Sequence, residues 1–232
     1  MNEEKRLNKE PFESVRHHET DSERYLSFLE RVTRRQTAVA EASEQDSAKK
    51  TLEAWLSSVP KRYRSADLST MEGRDVELVK SILDKSGSEP PSLYIHGERQ
   101  SSKTYLGYAA LRDIVERGLV RRDEIMVFSQ EDINLWSQSG FKGKDHINNL
   151  LSTKYKLYLV ENISGENANW WESFIAHVYN NSLSAVFTSL YSIRELADVN
   201  TFSRPLSVEA MSRLNRTVNG NVVKTTPFER RY

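Results

Sequence analysis

Ser92-Leu93-Tyr94-Ile95-His96-Gly97-Glu98-Arg99-Gln100-Ser101-Ser102-Lys103-Thr104 is the stretch whose reading decides the fold. An apolar strand runs into a polar loop, and Lys103-Thr104 opens a helix carrying Leu106, Ala110 and Ile114. A phosphate-binding loop has a glycine, four residues, then Gly-Lys-Ser/Thr, set between a strand and a helix. Gly97, Lys103 and Thr104 fit, and Ser102 stands where the second glycine belongs. In such a loop backbone N–H groups, here those around Ser101 and Ser102, join the positive end of the helix dipole around a β-phosphate. Lys103 reaches the β/γ oxygens of ATP, or the β oxygens of ADP, and the Thr104 hydroxyl ligates Mg²⁺. Serine at 102 adds a Cβ and a hydroxyl where backbone approaches phosphate closely, which tightens, distorts or merely decorates the loop. An ordinary polar strand-to-helix connection is the competing reading.

The flanking pattern favours the phosphate loop. Short apolar runs at Leu93–His96, Ile125–Ser129, Leu157–Val160 and Ala185–Thr188 alternate with helix-like segments at Lys103–Arg117, Ile147–Leu151 and Trp170–Tyr179. That alternation implies right-handed crossovers and a parallel sheet covered on both faces, a three-layer α/β domain. A helix precedes it over Gly73–Lys85, ended by Ser86-Gly87-Ser88-Glu89-Pro90-Pro91.

Residues 1–58 read differently. They hold no glycine and a single proline, Pro11, with both signs of charge interspersed. Tyr25, Phe28, Leu29, Val32 and Val39 recur at helical spacing, and Leu52, Trp55 and Leu56 mark a second short helix. The segment has too little apolar surface for its own core. It is a helical extension lying on the main domain, or a partner-binding module with exposed Phe28, Leu29 and Trp55 as anchors. Residues 1–20 have the composition of a disordered tail. The domain division is therefore 1–58 and 59–232.

Composition bounds the rest. The 33 basic and 33 acidic residues balance, so net charge advertises no nucleic-acid partner, although a local basic groove suffices. No apolar run approaches the ~18 residues that span a bilayer, and Met1-Asn-Glu-Glu-Lys-Arg6 lacks the apolar core of a signal peptide. The expected setting is a bacterial cytoplasm, or that of a bacterial host for a phage-encoded chain, with no membrane partner. Absence of cysteine excludes disulfides, a zinc ribbon and a thiol nucleophile. His96, His146 and His177 read as structural or solvated, and Trp170 and Trp171 as core or interface residues.

The order of segments resembles the AAA+ ATPases of the DnaC/DnaI helicase loaders and the IstB transposition helpers. Val59-Pro60-Lys61-Arg62-Tyr63-Arg64-Ser65-Ala66-Asp67-Leu68 is similar to the family's leading "P-x-R-Y-R-x-A" segment, and Tyr105–Ala110 to the helix after the phosphate loop. The resemblance covers residues 59–232 and implies the following roles. Lys156-Leu-Tyr-Leu-Val160-Glu161-Asn162 occupies the Walker B strand, so Glu161 serves Mg²⁺ and the catalytic centre. Asn162 replaces the second acid and cannot act as a base, because an amide has no proton acceptor that titrates near neutral pH. Ala185–Leu190 resembles the sensor-1 strand, with Thr188 and Ser189 in place and Leu190 replacing a polar residue. Met211-Ser212-Arg213-Leu214 resembles the segment bearing an arginine finger, so Arg213 would act on a neighbouring subunit in a homo-oligomer; a surface arginine on an amphipathic helix is the alternative. Phe228–Tyr232 resembles the terminal basic segment.

With Ser102, Asn162 and Leu190 altered, the expectation is ATP or ADP binding with weak or absent hydrolysis. The function implied is a replication helicase loader that binds a replicative hexameric helicase and helps place it on single-stranded DNA. The loop Gly140-Phe141-Lys142-Gly143-Lys144 offers Lys142 and Lys144 to phosphates and Phe141 for stacking, or is simply solvated. An IstB-like transposition helper, or a non-enzymatic P-loop scaffold binding proteins only, are the alternatives.

Overall fold

Alternation along each strand sorts the apolar side chains onto two faces, and that sorting builds the molecule. In the computed structural model, residues 26, 33–34, 49–151 and 154–226 are described, except for the side chains of residues 140–142 and 144. The chain forms two units, Met1–Asp46 and Ser47–Tyr232. In the first unit the described positions Leu26, Thr33 and Arg34 are helical.

The second unit opens with a helix over residues 49–58 (α1), then α2 (Arg74–Lys85), β1 (Leu93–Gly97), α3 (Lys103–Glu116), β2 (Ile125–Ser129), α4 (Gln130–Gln138) and α5 (Gly140–Leu150). It continues through β3 (Leu157–Glu161), α6 (Ala168–Asn180), β4 (Ser184–Ser189), α7 (Val208–Val218) and β5 (Val222–Thr225). The strands form one sheet in the order β2-β3-β4-β1-β5, and every pairing is parallel. The expected α/β architecture with a central parallel sheet is therefore the observed one.

Leu93, Ile95, Leu157, Leu159, Val186 and Val223 face one side, where they meet α1, α2 and α3. Tyr94, Phe128, Tyr158, Val160, Ala185 and Phe187 face the other, against α6 and α7. Helix α3 is buried through Leu106–Leu111, and small residues at Gly107, Ala109 and Ala110 let it lie close to the strands. On the far face an aromatic cluster centres on Phe174, stacked on Trp170 at 5.3 Å and meeting Phe128 edge-on at 5.1 Å. Trp171 is fully buried there, and Trp170 is half-buried against the same cluster.

Three expectations need correction. Trp55 is 2% exposed and packs into the core beneath α2 and α3, so it is not an exposed anchor. Most of the cluster it joins lies downstream of residue 59, and the compact unit begins at Ser47. Phe28 and Leu29 lie outside the described residues. The glycine-bearing stretch 140–144 is the first part of α5, not a loop. Gly143 passes so close to the Trp136 carbonyl that a Cβ would fall 1.7 Å from its oxygen, so glycine here serves a tight helix-to-helix join. The side chains of Phe141, Lys142 and Lys144 lie outside those described, as do residues 227–232.

Candidate nucleotide-binding site

At the carboxyl ends of parallel strands the chain leaves a crevice where strand order reverses, and ligands of open α/β sheets bind there. Here β1 has β4 on one side and β5 on the other, and the loop at its end leads into α3. A cleft of about 810 Å³ lies at this end, lined among others by Lys103, Thr104, Glu161, Asn162, Thr188 and Leu190. Residues far apart in sequence, assigned one by one to phosphate loop, Walker B strand and sensor strand, thus share one cavity.

The loop is held from below. The Ser101 hydroxyl is buried, donates to Glu98 O at 2.8 Å and lies 2.6 Å from Thr225 Oγ1. Gly97 has no room for a side chain, because a Cβ would sit 2.4 Å from the Thr225 carbonyl oxygen. Ser101 is therefore a strut between loop and β5, not a phosphate contact through its side chain. Gln100 and Ser102 take left-handed backbone angles, φ 62° and 58°. The second glycine of the motif normally supplies such freedom, so Ser102 adopts a conformation that favours glycine, at a cost of about 1 kcal/mol or more. Its own side chain is exposed and caps nothing.

Lys103 folds back over the loop, donating to the Glu98 carbonyl and, at 3.2 Å, to Ser101 Oγ. Burial pushes its ammonium pKa down. An anion at the loop would offset that desolvation by Coulomb attraction. Across the cleft, Glu161 ends β3 and accepts a hydrogen bond from Tyr108 at 2.9 Å. Burial pushes the Glu161 carboxyl above the usual range; the Tyr108 hydrogen bond and the Arg62 charge pull it down, while Asp132 and Glu131 push it up. One hydroxyl (Thr104) and one carboxylate (Glu161) on a shared cleft suit a Mg²⁺ that keeps several waters and takes its other ligands from phosphate oxygens. Among the described residues no group of three His, Cys, Asp or Glu forms an all-protein metal cage.

The leading segment closes the cleft on another side. Trp55, Val59, Pro60 and Arg62 line it, Tyr63 stacks on Tyr108 at 4.5 Å, and the Arg62 guanidinium sits 4.6 Å over the Tyr63 ring. Two ties fix this segment to α3: Tyr105 donates to Ser65 O at 2.7 Å, and Arg112 pairs with Asp67 at 3.1 Å. The loop between β1 and α3 thus has an aromatic and apolar wall beside it.

The sensor residues divide. Thr188 Oγ1 accepts from the Asn162 backbone N–H at 3.0 Å, whereas the buried Ser189 hydroxyl donates to Ile163 O at 2.7 Å and is structural. Leu190 reaches the cleft wall with no polar atom in its side chain. Arg213, on α7, is engaged by Glu209 one turn away and is not among the residues that line the cleft. Sequence reasoning missed Glu131, Asp132 and Tyr108 as cleft residues. The acid pair lies one residue beyond an apolar strand, at the carboxyl end of the sheet, and that position is the signal in the sequence.

No family model matches the chain, and no curated protein matches it in sequence. Among solved structures it is similar to the crystal structure of DnaI, at 14% identity and a TM-score of 0.56, over 72% of this chain and 92% of that one. It is likewise similar to the crystal structure of the DnaC helicase loader, at 20% identity and TM-score 0.56, over 72% of this chain and 100% of that one. AMPPCP-bound DnaA from Aquifex aeolicus aligns at 17% identity and TM-score 0.51, over 72% of this chain and 50% of that one. The chain therefore has the P-loop AAA+ fold of the DnaC and DnaI kind.

Proposed function

We propose that this chain is a replication helicase loader: it binds ATP with Mg²⁺, turns it over weakly, and holds a replicative hexameric helicase for placement on single-stranded DNA. One observation carries the reading. Lys103, Thr104 and Glu161 converge on a cleft with an aromatic wall, within a fold shared with DnaI and the DnaC helicase loader. Weak turnover follows from Asn162 and Leu190, which put an amide and an alkyl group where a base and a water-orienting group would stand. Residues 1–46, a unit apart from the nucleotide domain, supply the helicase contact, with Phe28 and Leu29 as anchors. Arg213 completes the site of the next copy when loaders assemble on the helicase, and Phe141, Lys142 and Lys144 of α5 contact the DNA backbone and bases.

Calorimetry with ATP and Mg²⁺ on the parent and on Lys103→Ala tests the nucleotide part. Loss of a charged hydrogen-bonding group weakens binding by about 2 kcal/mol, more than tenfold. Equal affinity removes the phosphate-loop role. Co-sedimentation of the full-length chain with bacterial replicative helicases tests the partner; no complex with any of them, together with no ATP binding, leaves the protein-binding scaffold as the better reading.

A further inference from the structure

Position 162 lacks a base, yet a carboxylate lies within hydrogen-bond distance of it. Asn162 Nδ2 donates to Glu131 Oε1 at 3.2 Å, and both residues line the cleft that Lys103, Thr104 and Glu161 define. We propose that Glu131 is the carboxylate that takes the proton from the attacking water, in place of the acid missing at 162. The assignment rests on the reading of this cleft as an ATP site.

Three carboxylates line the cleft, and the other two are occupied. Glu161 is held by Tyr108 and shares the cleft with Thr104, which suits it to the cation. Asp132 is the return half of a capping box, accepting from Ser129 N and Ser129 Oγ, each at 2.8 Å. Glu131 is solvent-exposed at the first turn of α4, where its one side-chain partner among the described residues is Asn162.

The carboxylate is also positioned. Strands β2 and β3 pair in register up to Ser129 and Glu161, so the residues just past each end are neighbours. The preceding residue, Gln130, is buried and accepts from Trp171 Nε1 at 2.6 Å and Ser164 Oγ at 3.1 Å, which fixes the start of α4. Asn162 takes a left-handed angle, φ 64°, that aims its amide back toward α4. A water within reach of residue 162 is thus within reach of Glu131. In the reaction the water oxygen bonds to the γ-phosphorus, the bond from that phosphorus to the β–γ bridging oxygen breaks, and the water proton passes to Glu131. ADP and inorganic phosphate leave, and solvent takes the proton from the carboxylate.

Single-turnover hydrolysis of ATP, with ATP affinity measured in parallel by calorimetry, tests the assignment on the full-length chain. Glu131→Gln is expected to lower the rate about 100-fold, the usual size of a general-base loss, with affinity within about twofold of the parent. Asn162→Asp, which tolerates the left-handed backbone, is expected to restore at least about tenfold of that loss in the Glu131→Gln background, by returning a carboxylate to the same water. A Glu131→Gln rate equal to the parent's overturns the assignment. So does a parent that binds ATP and hydrolyses it no faster than buffer. A parent that binds no ATP is detected by calorimetry before any rate is measured, and removes the nucleotide reading and this assignment together.

Discussion

Tyr108 and Glu161 are joined across the floor of the cleft, the phenol of α3 donating to Oε1 of the carboxylate that ends β3, at 2.9 Å. The carboxyl pKa is raised by burial and held back by this bond. Tyr108→Phe removes the restraint, so the pKa rises further and the ionised form needed by a cation is lost at higher pH. Mg²⁺-dependent ATP affinity in Tyr108→Phe should fall away at a higher pH than the parent's as pH is lowered. A calorimetric titration series checks it. For stability the sign is reversed. A carboxyl with a raised folded pKa favours the fold below its unfolded value of about 4.3, and this contribution is lost as pH rises through the folded value.

Gly97 and Ser102 occupy the two glycine positions of one motif and differ in what they tolerate. Gly97→Ala drives a Cβ into the Thr225 carbonyl and should destabilise the protein by about 3 kcal/mol, detaching β5 from the loop. Ser102→Gly relieves a left-handed serine costing about 1–2 kcal/mol, offset by about 0.5–1 kcal/mol of glycine's unfolded-state entropy. Its net effect on stability should be a gain below about 1.5 kcal/mol. Denaturant melts of both variants separate the two positions.

Truncation places the boundary of the second unit. Residues 47–232 should melt cooperatively, within about 1 kcal/mol of the second transition or shared transition of the full chain. Residues 60–232 lose Trp55 and Val59 from the core and should be destabilised by about 4 kcal/mol, as should Trp55→Ala. Equal stability of the two truncations would place the boundary at residue 59.

Gln130 is buried with its amide oxygen shared by Trp171 and Ser164. Gln130→Leu strands the indole N–H in an apolar cluster and should cost about 1–3 kcal/mol. Gln130→Glu keeps an acceptor but buries a charge, so it should destabilise increasingly as pH rises above neutrality's acid side. Thermal melts at two pH values distinguish these variants.

Strands β1, β3 and β4 are legible because each carries the apolar run of an interior parallel strand, and β2, at the sheet edge, because Ile125–Phe128 is apolar throughout. Strand β5 is not. Four residues long, with Lys224 exposed at the sheet edge, it lacks that run. Gly140 and Gly143 suggested a loop because glycine weakens an isolated helix; the close passage by Trp136 that requires Gly143 is visible only in three dimensions. Trp55 reads as an anchor in sequence because most of the buried cluster it joins, Val79 and Leu83 included, lies beyond residue 59. In the cleft, Lys103, Thr104 and Glu161 could be read from motif spacing. Glu131 belongs to no such motif and is brought to Asn162 by strand pairing.

The strut between Ser101 and Thr225 joins residues 124 positions apart. During synthesis on the ribosome, a chain whose residues 222–225 are still in the exit tunnel has β1 and α3 in hand but no anchor beneath the loop that joins them. Contacts of such long sequence separation form late. Seating of the loop over residues 97–104 therefore waits for the fifth strand, and a nascent chain stalled before residue 222 should emerge with that loop unanchored.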